Sequence, residues 1–185
     1  MFRPGTTLRP VLALAAAGIV AGGGTASAAP APKGLWATVD ICNSIAHPNQ
    51  MGVLASMPGN GTRQRMFMRF RAQFYDSSRK VWLPVKQKQV VGQPPVPASS
   101  GWRPAGRATQ KRAELGWTFS LQPPAAGSAF VLRGVVDFQW RVTRRTKSGH
   151  RLTVVVRTLH ANTKGEHPSK VADPPGYTSG TCEIR

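Results

Sequence analysis

Arginine supplies most of the chemistry open to this chain. Arg69 and Arg71 lie within RMFMRFRAQFY at 65–75, with Arg79 and Lys80 just beyond, and a second basic group comprises Arg141, Arg144, Arg145, Lys147, Arg151 and Arg157. A guanidinium grips phosphate or carboxylate through a planar fork of donors, so both groups are anion-binding candidates. The competing reading is a solvated basic surface. Tryptophan adds a second possibility. Trp117 and Trp140 sit in clear apolar periods and read as core, whereas Trp82 and Trp102 flank a proline-rich connection and are the candidates for stacking on a sugar or docking a partner.

Catalytic chemistry is less well served. Beyond residue 28 the acids are Asp40, Asp76, Glu114, Asp137, Glu166, Asp173 and Glu183, and no pair is set apart for acid–base work on a glycoside. There is no GxSxG elbow to present a serine nucleophile and no GK[ST] phosphate loop. Asp137 stands out because it interrupts an apolar strand, and is expected to point outward and pair with Arg133, Arg141 or a neighbouring strand. His47 and His167 precede prolines in expected loops, while His150 and His160 flank a strand and meet only if the chain folds back. An unrecognised hydrolase is thus the enzyme alternative, with no catalytic residue assigned. No cofactor and no metal site are expected, since the histidines and cysteines have no recognised ligand spacing. Asn60-Gly61-Thr62 matches the N-glycosylation acceptor pattern.

The compartment in which these groups would act is read from the N-terminus. Arg3 and Arg9 precede the apolar run VLALAAAGIVAGGG and the small-residue stretch TASAAPAPKG, the order of a signal peptide, with the cut expected after Ala28 and cuts after Ala29 or Ala31 as the alternatives. The run is diluted by glycine and falls short of the roughly 20 residues that span a bilayer core, as does every later segment. Removing residues 1–28 lowers the formal charge only from +18 to +16, because Arg3 and Arg9 alone leave. So high a charge directs attention to anionic partners: a wall polymer, a membrane surface, an extracellular protein or, nonspecifically, nucleic acid. Cys42 and Cys182, the only cysteines, are expected to form a disulfide in an oxidising compartment.

The elements that must position these residues are strands. After a flexible segment at 29–34, one domain is expected over 35–185. LWATVDIC at 35–42 is a first strand whose two faces both carry groups needing cover, and MGVLASM at 51–57 is a second. The 65–75 segment alternates Met66, Met68, Phe70, Ala72 and Phe74 against Arg69, Arg71 and Gln73. It pairs through DSSR with KVWLPV. Residues 87–111, rich in proline and glutamine, read as a long connection pegged by Trp102. AELGWTFSLQPP, AFVLRGVVDFQWRVTRR, RLTVVVRTLH and a terminal TCEIR supply further strands. Gly134 is expected to mark a bulge or a close backbone approach. No helix follows the signal peptide. The fold class expected is all-β, an antiparallel β-sandwich, with an immunoglobulin-like topology as the candidate arrangement, although the cysteines lack the spacing of the usual immunoglobulin core bridge.

GLWATVDICN, HPN, SMPG, MRF, AGSAFVLRGVVDFQWR and GYTSGTCEIR together resemble an uncharacterised family of small secreted proteins from high-GC Gram-positive bacteria. The resemblance spans nearly all of the mature chain. It implies a secreted β domain with recurring cysteines at Cys42 and Cys182, and supplies no catalytic residue or ligand. The expected function is noncatalytic binding of an anionic surface or partner; a structural extracellular domain is the other alternative.

Overall fold

The computed structural model describes residues 31–86 and 97–185. The expected signal peptide and residues 87–96 of the connection lie outside the described residues.

Alternation decides the two central strands. β1 (Trp36–Cys42), β2 (Gln50–Pro58) and β3 (Arg65–Asp76) open the chain. They are followed by β4 (Val81–Pro84), β5 (Arg103–Arg107), β6 (Arg112–Ser120) and β7 (Phe130–Arg145). β8 (Arg151–Asn162) and β9 (Cys182–Ile184) complete it, with no helix among the described residues. β3 buries Met66, Met68, Phe70 and Ala72, and β7 buries Leu132, Val136, Phe138 and Trp140. Because successive side chains of a pleated strand point to opposite faces, each set lies on one side of its strand. The unbroken antiparallel register from Arg65↔Arg141 to Phe74↔Leu132 puts the two sets on the same side.

β3 and β7 form the centre of a six-stranded sheet ordered β4-β3-β7-β8. β5 shares with β4 one edge of β3, and β9 shares with β8 one edge of β7. A second, three-stranded antiparallel sheet has the order β1-β2-β6. Both sheets contribute to one core, where Ala37, Val39, Met51, Val53, Met57 and Phe119 meet the apolar sets of β3 and β7. Methionine suits this role, since its unbranched side chain fills irregular gaps. Gly134 resolves as a close approach: a Cβ there would lie 2.7 Å from Val53 Cγ2 of the other sheet. The irregularity of β7 falls instead in its pairing with β8, between Trp140 and Arg141.

The long connection expected at 87–111 is corrected in its second half, which contains β5. β4 occupies only the Gln73–Asp76 end of β3, so the rest of that edge would otherwise present unpaired amides and carbonyls. The returning chain fills it: Ala72 N–H donates to Ala98 O, Ser100 N–H to Phe70 O, and β5 pairs with Arg65–Met68. Pro104 is tolerated there because β5 lies at the sheet's edge.

β1 has the two-sided environment that its sequence suggests. Thr38 and Asp40 are buried along with Ala37 and Val39. The C-terminal loop covers this strand: Val39 N–H donates to Ser179 O and Asp173 N–H to Asp40 O, and the Thr38 and Thr178 hydroxyls lie 2.7 Å apart. Burial pushes the Asp40 carboxyl above its ordinary value, against the opposing hydrogen bond from Ser169.

The Cys42–Cys182 disulfide joins β1 to β9, hence the first strand to the last and one sheet to the other. It closes a loop spanning 140 positions, for which chain-entropy arguments give up to about 5 kcal/mol of stabilisation. Cys182→Ser should therefore lower the melting temperature under oxidising conditions and leave a reduced sample nearly unchanged. Coincident melting of variant and wild type when oxidised would contradict that role.

Candidate anion-binding face

Once β3 commits its even-numbered residues from Met66 to Ala72 to the core, the odd-numbered ones must occupy the other face. Phe67, Arg69, Arg71, Gln73 and Tyr75 follow one another there, beginning from Arg65. The register sets Arg141, Gln139, Asp137, Val135 and Arg133 of β7 beside them, and brings His160 and Thr158 of β8 opposite Asp137 and Gln139. Trp82 pairs with Tyr75 from β4, while Trp102 enters from the segment immediately preceding β5.

At the centre, Asp137 has no solvent exposure yet points into this polar layer. Arg71 holds the carboxylate through two bonds, Nε to Oδ2 at 2.9 Å and Nη2 to Oδ1 at 2.7 Å. Arg69 places Nε and Nη2 on Oδ2, each at 2.9 Å, and His160 Nδ1 lies 2.5 Å from Oδ1. Burial acts to raise the acid's pKa, but the hydrogen bonds from Arg71 and His160, the Arg71 charge and the Arg69 hydrogen bond outweigh it. The carboxyl therefore sits below its ordinary range. It titrates as a structural anion, ionised throughout the neutral range.

The other arginines of the face rest on aromatic rings. The Arg141 guanidinium lies 4.2 Å from the centroid of Phe67 and 4.7 Å from that of Trp102, and Trp102 also carries Arg69 at 4.7 Å. Arg133 lies 4.4 Å from the centroid of Trp82, itself tilted against Tyr75. Each of these arginines donates Nε to a neutral amide: Arg141 to Gln139 Oε1 and Arg133 to Gln73 Oε1, both at 2.8 Å. Neither has a carboxylate partner among the described residues. Partial burial lowers the pKa of both, and nearby Arg69 lowers that of Arg141 further. A cation held in place, half desolvated and without a counter-ion is an arrangement that an incoming oxyanion relieves.

The structure thus gathers Arg69, Arg71, Arg141, Trp82 and Trp102 onto one face. Arg79 and Lys80 lie apart in the β3–β4 turn, with Arg79 Nε 3.8 Å from Asp76 Oδ2. Arg144, Arg145, Lys147 and Arg151 occupy the exposed far end of the β7–β8 hairpin. Arg157 shares the register position of Trp140 and lies over that ring at the margin of the core. Trp117 is only half-buried and is covered by Arg103 at 4.4 Å. Phe67, Tyr75, Gln73 and Gln139 join the site beyond the residues expected from the sequence, and Arg133, expected as a partner of Asp137, joins it as a cation over Trp82. Period-two alternation would have placed them all outward, but His160 required the β7–β8 register. Asp137 pairs with the neighbouring strand rather than with Arg133 or Arg141.

A second polar cluster ties the β1–β2 loop to the C-terminal loop. Ser44 donates its hydroxyl to Asp173 Oδ2, and His47 Nδ1 lies 2.7 Å from the same oxygen. These hydrogen bonds, led by that from Ser44, hold the Asp173 carboxyl low. A hydrolytic relay places histidine between acid and nucleophile. Here the acid receives both groups, and the Ser44 oxygen meets the His47 backbone amide rather than its ring. His150 precedes β8 and His160 lies near the strand's far end, and His167 stacks on Trp36 at 4.3 Å. No group of three potential metal ligands occurs among the described residues. Compared with known proteins, the chain matches no family model and no curated relative.

Asp137→Asn should destabilise the fold by about 2–4 kcal/mol, somewhat less than a fully buried ion pair because both guanidiniums keep part of their surface in water. The wild-type contribution is complete above the ordinary aspartate value of 3.8 and is lost as pH falls through the lower folded-state value. Denaturant unfolding from pH 7 to pH 2 should show this acid-dependent portion in the wild type and its loss in Asp137→Asn. Parallel pH profiles would contradict it.

Proposed function

We propose that the chain is an exported, noncatalytic binding module for an anionic surface or partner, built as an immunoglobulin-like β-sandwich. One observation carries the binding reading: Arg69, Arg71, Arg133 and Arg141 share a sheet face with a single carboxylate, Asp137, and two of them have no acidic partner among the described residues. The sandwich reading is supported by the core common to both sheets and by the contact of Gly134 with Val53. An anionic wall polymer is the favoured partner outside the cell, because its repeated charges offer a broadly positive surface many contacts at once. Among the described residues no helix is long and apolar enough to cross a membrane.

Export is checked by N-terminal sequencing of protein recovered from the medium of an expressing host. The expected first residue is Ala29, with Pro30 or Pro32 following from the alternative cuts, and recovery only of cell-bound chains retaining Arg3 and Arg9 would overturn export. Binding is checked by retention of the purified mature protein on anionic wall fractions across salt concentrations. Release of a few condensed counterions gives log K falling against log salt with a slope of about −2 to −4. Arg133→Gln and Arg141→Gln should each weaken retention several-fold. Binding insensitive to salt would defeat the proposal, and losses confined to Arg144→Gln and Arg145→Gln would move the site to the hairpin tip.

A further inference from the structure

Arg141 and Arg133, neither held by a carboxylate, stand near opposite ends of the face, and Arg65, likewise unpaired with acid among the described residues, lies beside Arg141 with its guanidinium 5.6 Å from the Phe67 centroid. Arg141 reaches over Phe67, and Arg133 reaches over Trp82, whose register partner is Tyr75. Phe67 and Tyr75 belong to the same side of β3, so at about 3.4 Å per residue the two guanidiniums are on the order of 20–27 Å apart. The interval is not empty. Arg69 and Arg71 fill it with positive charge that Asp137 offsets only in part.

Ring contacts and Nε hydrogen bonds already engage both terminal guanidiniums. Arg141 lies over two rings and gives Nε to Gln139, while Arg133 lies over one ring and gives Nε to Gln73. What each has left is the edge carrying its Nη groups, which suits an oxyanion. The rings are engaged as well: Trp102 carries two guanidiniums, and Trp82 carries one and meets Tyr75. They serve as supports for arginine, which leaves them poorly placed to stack on bases or sugars.

Building on the anion-binding reading above, we infer that this face is a linear track for an extended polymer of repeated oxyanions, gripped at both ends by Arg133 and Arg141. A compact anion reaches one end only. A flexible polyanion that spans both gains the second contact as an intramolecular event, so its affinity depends on length. The intervening Arg69 and Arg71 keep the path positive, and Asp137 fixes them in position.

Inorganic phosphate chains test the idea, with tripolyphosphate too short to span the face and long-chain polyphosphate able to do so. Binding of each to the intact mature protein is measured by calorimetry at low salt. For the long chain, Arg133→Gln and Arg141→Gln should each lower affinity by about tenfold, the loss of a linked second contact. For tripolyphosphate each should lower it less than about threefold, since the other end still binds. Arg144→Gln, matched in charge but off the track, should affect both probes alike. Thermal melts of every oxidised variant separate a folding defect from a binding defect. If only one of the two track variants weakens the long chain, or both weaken the two probes equally, the track is wrong while anion binding stands. Failure of the wild type to bind long-chain polyphosphate would overturn the binding reading as well.

Discussion

A carboxylate withdrawn from water must find enough donors to replace its hydration, and Asp137 finds them on two neighbouring strands. That requirement organises the outer layer of the six-stranded sheet. Arg69 and Arg71 come from β3 and His160 from β8, so the three strands are tied side by side at one point by directional bonds rather than apolar contact alone. Removing the anion would leave two guanidiniums facing each other across a half-buried site. Keeping it anchors Arg69 and Arg71 and sets them apart from Arg133 and Arg141, whose charge is uncompensated by acid among the described residues.

Stacking guanidiniums on aromatic rings is the second device of this face. A free arginine side chain loses rotamer entropy when a ligand immobilises it, whereas one resting on Trp102 or Trp82 and hydrogen-bonded to an amide has already lost much of it. Preorganisation of this kind distinguishes the face from the tip of the β7–β8 hairpin. There, equally basic residues project into solvent, with no ring or carboxylate contact to hold Arg144, Arg145, Lys147 or Arg151 among the described residues.

The surroundings of β1 are organised by closure. The disulfide and the backbone bonds from Ser179 and Asp173 cover β1, so that even its polar residues are buried. β8 forms an exposed edge of the six-stranded sheet, with Leu152, Val155 and Val156 open to water. Arg151 and Arg157 along that strand, together with the irregular pairing at Trp140/Arg141, are the features that discourage edge-to-edge association.

Local pattern was enough to assign most strands, because the period of two in RMFMRFRAQFY and in AFVLRGVVDFQWR is imposed by the pleat itself. It also separated the inward methionines and phenylalanines from the outward arginines, and the count and setting of the cysteines pointed to their bridge. β5 escaped that reading because its pairing is required by the unfilled edge of β3, and nothing within RPAGR announces a strand. The amino-acid sequence by itself determined that arginine, aromatic and acidic side chains would alternate with the core residues of β3 and β7. Only the tertiary structure decided which of them meet, since cross-strand register sets Asp137 beside Arg69, Arg71 and His160 and sends Trp82 and Trp102 to Arg133 and Arg141. Register depends on the sum of packing and hydrogen bonding across the whole sheet, and no single segment encodes that sum.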